Sequence, residues 1–285
     1  MCRLFGMLGN PGSPADPWLI ATDRSLLAQS HASEAAAQRD GWGIAWFLPD
    51  GTVHVEKGTG GAFEEAEPFR RAARAARGPL VVGHLRKASN PMRLPRRRLL
   101  GRENAQPFAF DAYVFAHNGS IPFPRETRAR LGPFESRVVG VNDSEVLFWL
   151  LVKHLEAGAE PAPAYAAAVA ELKAVWAERG MPAAGPYSGL NVLLARGPSE
   201  LWAFCHWSGE HGRGLLDTSR PYYALAYAAD ARQVVVGSEP FDSTRRDWRS
   251  LSNGDFLVAR ADQGLVTVET GRIPVLPSAT PRPVG

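Results

Sequence analysis

The chain carries a cysteine directly after the initiator methionine, and its first six residues read Met1-Cys2-Arg3-Leu4-Phe5-Gly6. Removal of Met1, which a small following side chain favours, would leave a thiol and a free α-amine on one residue. A thiol attacks only as thiolate, with an unperturbed pKa of about 8.5, and an α-amine titrates near about 7.7–8.0. The amine is therefore matched to accept the thiol proton. This predicts Cys2 as a nucleophile; the alternative is a small buried residue on the first strand.

Composition limits the kind of protein. The chain has 285 residues, 45% of them apolar, which is enough for one large domain or two small ones. No linker or repeat divides it, so we expect a single domain over residues 2–272 and a loosely held Pro-rich tail at residues 273–285. No apolar run approaches the ~20 residues of a membrane helix, and no signal peptide is apparent. We therefore expect a cytoplasmic protein with no membrane partner.

The numbers of cysteines, histidines and charged residues argue against a disulfide framework, a metal site and a nucleic-acid partner. The two cysteines, Cys2 and Cys205, make no disulfide framework and are typical of a reducing compartment. We expect Cys205 to be a packed thiol in an apolar strand. The seven histidines include no closely spaced pair, so we expect no metal site and no cofactor. The net charge of +3 is too small to indicate a nucleic-acid partner.

Hydrophobic periodicity predicts strands on both sides of a central helical block. Short turns between the strands favour antiparallel sheets covered by helices. The predicted strands are residues 3–9, 44–48, 53–56, 79–84, 108–116, 191–195, 201–207, 222–227, 233–237, 255–260 and 265–270. The predicted helices are residues 18–29, 63–76, 143–155 and 163–179, the third capped by Asn142 or Asp143.

Three polar clusters besides Cys2 follow predicted strands or open a helix, where sites are built on a rigid scaffold. Arg86, just after a buried strand, is suited to bind a carboxylate through two hydrogen bonds, although a surface ion pair would also explain it. Asn118 and the backbone amide of Gly119 can direct two donors at one oxygen as an oxyanion hole, with an ordinary turn as the alternative. Asp143 can accept a substrate ammonium, a role that is compatible with capping a helix.

Together these groups match a ligand with an α-amino acid head at one end and an acyl group at the other. The arginine and the aspartate would bind the head, and the thiol, the amine and the oxyanion donors would act on the acyl group. Glutamine, or any γ-glutamyl amide, is such a ligand.

The sequence resembles the class II glutamine amidotransferases, members of the N-terminal nucleophile hydrolases, over about residues 2–260. Gln106 stands where some members have His, and the segment that begins at Asp40 is closer to small stand-alone members than to the large synthases. The motifs that carry the resemblance, in the family's order, are Cys2, Gly83-His84-Leu85-Arg86-Lys87-Ala88-Ser89, Asn104-Ala105-Gln106-Pro107-Phe108, His117-Asn118-Gly119, Asn142-Asp143-Ser144-Glu145 and Val236-Gly237-Ser238-Glu239-Pro240.

The resemblance implies an α+β fold, a four-layer αββα sandwich of two antiparallel sheets with helices outside. It implies hydrolysis of an amide through a γ-glutamyl thioester. The implied site residues are Cys2 as nucleophile and general base, Asn118 and Gly119 as oxyanion hole, Arg86 on the substrate carboxylate, Asp143 on its ammonium, and Ser89 near the bound glutamine.

Three functions remain open at this point, because no ammonia-using domain follows the amidase region. The chain is a glutaminase whose partner protein consumes the ammonia, or a hydrolase of a larger γ-glutamyl compound, as in ergothioneine synthesis or glutathione breakdown. The third alternative is a non-catalytic relative that only binds the γ-glutamyl head. The matching catalytic positions make this third function the least favoured.

An arginine loop at residues 91–102 follows the Arg86 cluster. In the family the equivalent segment closes over bound glutamine, so we expect a lid or docking surface whose positive rim attracts an anionic substrate tail or an acidic partner. A solvated basic loop with no role is the alternative. Without aromatic residues the loop is not suited to stack nucleic-acid bases. Its arginines are Arg93, Arg96, Arg97, Arg98 and Arg102.

Overall fold

The computed structural model describes residues 2–183 and 185–274 and contains two antiparallel sheets. The strands are β1 (Arg3–Gly9), β2 (Trp42–Phe47), β3 (Val53–Gly58), β4 (Leu80–Leu85), β5 (Phe108–Phe110), β6 (Tyr113–Gly119), β7 (Leu190–Arg196), β8 (Glu200–Cys205), β9 (Leu225–Ala229), β10 (Gln233–Gly237), β11 (Arg249–Leu251), β12 (Asp255–Asp262) and β13 (Leu265–Arg272). Sheet A has the order β11-β9-β10-β1-β4-β2-β3, and sheet B has the order β13-β12-β8-β7-β6-β5.

The α-helices follow strands β1, β3 and β6 in the chain. They are α1 (Leu26–Gln29), α2 (Ala66–Ala75), α3 (Pro124–Arg128), α4 (Asp143–Glu156) and α5 (Pro161–Glu178). Asn142 caps α4 by accepting a hydrogen bond from the amide of Ser144 at 2.9 Å. None of the helices in the described parts of the chain is long and apolar enough to cross a membrane.

Strand β1 shows how the layers form. Leu4 and Leu8 pack between the two sheets, whereas Phe5 and Met7 pack on the outer face of sheet A with Phe69 of α2. Successive side chains of a strand point to opposite faces, so an uninterrupted apolar run fits a strand that is covered on both sides. This explains why every residue of β1 is buried.

Helices α4 and α5 cover the outer face of sheet B. Phe148 and Leu151 of α4 lie in one cluster with Val192 of β7 and Phe204 of β8. The protein therefore consists of helix, sheet, sheet and helix layers, and the expected sandwich of two antiparallel sheets is confirmed.

Some predicted elements were wrong in detail. The helix expected at residues 18–29 is a short π-helical turn, Pro17–Ala21, followed by α1, because Ser25 starts a new helix by accepting from the amide of Ala28. The strand expected at residues 108–116 is a hairpin that turns at Asp111, where φ is 50°. Strand β9 begins at Leu225, after the predicted start at residue 222. Most of the predicted tail, residues 275–285, lies outside the described residues.

Candidate active site

Cys2 lies immediately before β1, which is paired with β4 and β10 in the middle of sheet A. Its side chain is 7% exposed. The backbone amide of Lys87, just after β4, donates to the sulfur at 3.5 Å, and the sulfur lies 3.6 Å from the carbonyl oxygen of the same residue. The pairing of β1 with β4 thus brings the predicted nucleophile to the cluster that follows β4.

The surroundings of Cys2 act on its thiol in opposite directions. Burial raises the pKa of the Cys2 thiol above its ordinary value, while the amide of Lys87 and the positive charge of Arg86 lower it. Burial has the largest effect, so the net change is a raised pKa that favours the protonated thiol. A reaction at this sulfur therefore requires a base that removes its proton.

Arg86 is buried beside Cys2 at 3% exposure. Its Nη1 donates to the carbonyl oxygens of Asp40 and Leu99, at 3.1 and 2.6 Å. Burial lowers the pKa of Arg86, and the negative charges of Asp40 and Asp143 counteract this. Among the described residues the guanidinium is therefore fixed by backbone carbonyls rather than by a direct ion pair, and it remains a cation in the site.

Asp143 lies at the first turn of α4 and is bonded to two other segments of the chain. Ser89 donates its hydroxyl to Oδ1 of Asp143 at 3.1 Å, and the amide of Ile121 donates to Oδ2 at 2.7 Å. The carboxylate is 3% exposed. Asp143 thus connects the segment after β4 with the segment after β6.

Asn118 and Gly119 end β6. Asn118 is fully buried, and within residues 2–183 and 185–274 neither its Oδ1 nor its Nδ2 has a hydrogen-bond partner. A buried amide without a partner is uncommon and calls for a reason. Gly119 packs so closely that an added Cβ would overlap the carbonyl oxygen of Gly189. This position therefore admits only glycine.

The site residues predicted from the sequence are thus brought to one region of the two sheets. The region is rich in hydrogen-bonded polar groups, but among the residues that the structure covers there is no cluster of three side chains suited to bind a metal ion. Its chemistry is that of a thiol beside a buried cation, a carboxylate and an unsatisfied amide.

The family model of class II glutamine amidotransferases matches residues 1–281. The chain belongs to this family. A comparison with curated proteins found no match.

Solved structures show the same fold at low identity. A glutamine aminotransferase class-II domain protein from Silicibacter pomeroyi is 20% identical, with a TM-score of 0.63 over 95% of this chain and 99% of the other. A glutamine phosphoribosylpyrophosphate amidotransferase from B. subtilis, complexed with ADP and GMP, is 18% identical, with a TM-score of 0.64 over 96% of this chain and 50% of the other. An enzyme described as the allosteric regulatory enzyme of purine biosynthesis is 19% identical, with a TM-score of 0.63 over 96% and 49%. This amidotransferase thus spans about half the length of the latter two.

The amidotransferase also contains site residues that the sequence did not reveal. Asp40 is nearly buried; its Oδ2 accepts from the amide of Ala88 at 2.8 Å, and its Oδ1 accepts from Nη2 of Arg96 at 2.6 Å. Asp40 therefore links the arginine loop to the segment that carries Arg86. Its position in an Asp-Gly pair before β2 was the available signal.

Gln106 of the amidotransferase has a structural part in the same network. Its Oε1 accepts from the amide of His117 at 2.6 Å, and its Nε2 donates to the carbonyl oxygen of His117 at 3.2 Å. His84 also bonds to this carbonyl through Nε2, at 3.2 Å. Gln106 thus satisfies both backbone groups of the residue that precedes Asn118, and it holds β6 in place.

Proposed function

We propose that this amidotransferase hydrolyses the γ-glutamyl amide bond, with glutamine as the simplest substrate, through a thioester on Cys2. The observation that carries the proposal is the buried, unpartnered side chain of Asn118 at the end of β6. Its amide group is suited to donate to the oxyanion that forms when a thiolate attacks a carbonyl carbon. A purely structural asparagine would have its buried amide paired.

The substrate head group is assigned to the two buried charges. Arg86, held by backbone carbonyls through Nη1, would bind the α-carboxylate. Asp143 would accept the α-ammonium, with Ser89 holding its Oδ1. The opposite charges of the two residues fix the direction in which an amino acid enters.

The reaction would proceed in two balanced steps. The α-amine of Cys2 takes the thiol proton, the thiolate attacks the amide carbon, and the amine returns the proton to the leaving nitrogen as the C–N bond breaks. The amine then takes a proton from water, the hydroxide attacks the thioester, and the sulfur leaves and recovers its proton. The mechanism requires a free α-amine and therefore removal of Met1, which lies outside the described residues.

A larger γ-glutamyl compound is the second candidate substrate. The arginine loop supports it, because Arg96, Arg97 and Arg98 are exposed and Arg96 nevertheless pairs with Asp40 beside the site. This positive rim is suited to a negatively charged leaving group. A partner protein that uses the released ammonia is compatible with either substrate.

We further propose that residues 2–272 act as one unit. Strand β1 pairs with β4 and with β10, and β12 pairs with β8. No cut in the chain would leave both sheets complete.

Hydrolysis assays test the function directly. Purified protein, with removal of Met1 verified by intact mass, is given glutamine, γ-glutamyl dipeptides and γ-glutamyl compounds with anionic leaving groups. Release of glutamate is measured for each substrate. Faster release of glutamate from glutamine than from the other substrates supports the glutaminase. Faster release from a larger γ-glutamyl amide supports the second candidate. Substrate binding without release of glutamate supports the non-catalytic relative.

A further inference from the structure

The connection between β8 and β9, residues 206–224, contains no helix or strand. Connections longer than about 12–15 residues without such elements are uncommon and are often functional. One carboxylate holds the middle of this β8–β9 loop. Glu239 accepts the backbone N–H groups of Leu215, Leu216 and Asp217, the last two at 2.8 and 2.9 Å.

The same carboxylate reaches the residue that follows the nucleophile. Oε1 of Glu239 forms a buried ion pair with Nη1 of Arg3 at 3.2 Å, and the two side chains are 1% and 0% exposed. Nε of Arg3 donates to the carbonyl oxygen of Cys2 at 2.7 Å. A continuous path thus runs from the loop amides through Glu239 and Arg3 to the backbone of Cys2.

The β8–β9 loop meets Arg3 a second time. The ring of Tyr222, near the end of the loop, lies with its centroid 4.3 Å from the guanidinium carbon of Arg3. Asn191 of β7 closes the loop at both ends, because its Nδ2 donates to the carbonyl oxygen of Tyr223 and its Oδ1 accepts from the amide of His206. Asn191 is paired with Asn118 in the ladder between β6 and β7. The loop is therefore anchored to both halves of the proposed site.

Stability alone is a weak reason for this arrangement, since a buried ion pair is often no more stabilising than apolar residues of similar size. The geometry explains it differently. The carbonyl of Cys2 is bonded to the same backbone that carries the thiol and the α-amine. A donor fixed at that carbonyl sets the orientation of both groups.

We propose that Arg3 and Glu239 are positioning residues that couple the order of the β8–β9 loop to the orientation of Cys2. Neither residue is assigned a contact with substrate. The inference rests on the proposed function for the reaction itself, while the coupling is a property of the folded chain that is measurable without any substrate.

The first test measures the coupling without turnover. In Arg3→Met, hydrogen exchange of the amides of residues 215–217 is expected to rise at least tenfold, although Arg3 does not contact them. Alkylation of Cys2 by iodoacetamide, measured by mass spectrometry, is expected to slow at least fivefold. Amides of β12 serve as the internal control. Unchanged exchange and unchanged alkylation in a folded Arg3→Met protein would overturn the proposal.

The second test separates positioning from stability. Arg3→Met combined with Glu239→Gln removes both charges and leaves an acceptor for the loop amides, so the protein is expected to fold. Its kcat is expected to fall at least tenfold with KM changed less than threefold, and Arg3→Lys is expected to behave alike because it lacks Nε. Wild-type kcat in the double variant would contradict the proposal.

A matched control comes from Glu200, the first residue of β8. Glu200 likewise pairs with arginine, with Arg196 and Arg260, and Glu200→Gln is expected to leave kcat and Cys2 alkylation unchanged. The two proposals fail separately. Absence of hydrolysis in the wild type, with the exchange coupling intact, would refute only the function; hydrolysis without the coupling would refute only the positioning role.

Discussion

The two buried cysteines of this chain, Cys2 and Cys205, differ in the residues that surround their thiols. Cys205, at the end of β8, directs its thiol at the carbonyl oxygens of Tyr223 and Leu251, at 3.4 and 3.3 Å, and burial raises its pKa to about 12. Cys2 receives a backbone N–H from Lys87 and has the cation of Arg86 beside it. Burial raises the pKa of both thiols, and each has a backbone N–H and an arginine that act in the opposite direction. The two thiols therefore differ in their neighbours and not in burial: Cys2 lies at the segment that carries Arg86, whereas Cys205 faces two backbone carbonyls.

The greatest loss of activity is expected from substitution of one of the two cysteines. Cys2→Ala is expected to abolish hydrolysis, at least a ~10³-fold loss of kcat, because it removes the proposed nucleophile. Calorimetry should still detect substrate binding, since the head-group residues are separate from the sulfur. Cys205→Ala is the control and should retain kcat. Equal loss of activity in both variants would remove the functional difference between the two thiols.

Asn118→Ala is expected to lower kcat by ~10²–10³ with little change in KM, the typical cost of losing one oxyanion donor. Steady-state kinetics on glutamine measure it. Asn10→Ala is the control, since Asn10 follows the far end of β1 and in the described structure only its Oδ1 is buried without a partner, whereas both amide atoms of Asn118 are. An effect of Asn118→Ala confined to KM would refute the oxyanion assignment.

Arg86→Lys and Asp143→Asn are expected to weaken substrate binding by about 2 kcal/mol or more, a rise in KM of ~30-fold. Lysine cannot form the two parallel hydrogen bonds that the planar guanidinium of arginine forms with a carboxylate. The amide of asparagine is neutral, so it lacks the negative charge that pairs with an ammonium. Arg74→Lys on the exposed face of α2 is the control. If both variants kept KM and lost only kcat, the head-group roles would be wrong.

The buried side chain of His84 in β4 makes the folding stability depend on pH. Burial lowers the pKa of His84 to about 3, while an unfolded histidine titrates near about 6.5. The unfolded chain therefore binds more protons below pH ~6.5, and folding stability is lost as the pH falls from there. Denaturant unfolding should show a contribution of about 2–3 kcal/mol between pH 7 and 4.5 that His84→Gln removes. An equal loss in wild type and variant would show that His84 does not carry it.

The smallest change in kinetics is expected from substitutions in the arginine loop. Replacing Arg96, Arg97 and Arg98 with Ala should raise KM by ~2–5-fold for anionic or extended γ-glutamyl substrates and reduce the salt dependence of KM, because exposed charges are screened. Removing three arginines of α2, Arg70, Arg71 and Arg74, is a control of equal charge. Unchanged kinetics for every substrate, together with unchanged capture of a partner protein, would leave the loop as a solvated surface.

The features of the site and the fold that depend on short sequence motifs were predictable from the sequence. The residue-two cysteine, the arginine after β4, the Asn-Gly pair after β6 and the cap of α4 were each recognisable from short stretches. Strand β1 was predicted with its observed bounds, Arg3–Gly9, because a short apolar run is typical of a buried strand. These features depend on neighbours in the chain.

The contacts that hold those parts together were not predictable, because they join distant residues. Arg3 and Glu239 are 236 positions apart, and Asp40 meets Arg96 only after the loop folds back. Gln106 was a departure from the family pattern, and only the structure assigns it to the backbone of His117. Periodicity also missed the break between residues 21 and 26, where polar side chains start a new helix.

The most direct measurement is the site of covalent labelling by a diazo-ketone analogue of glutamine. The analogue is incubated with the wild-type protein, and the modified peptide is identified by mass spectrometry, with excess glutamine as competitor. One label is expected, on Cys2, together with protection by glutamine. Labelling of Cys205, or labelling of Cys2 that glutamine does not slow, would contradict it.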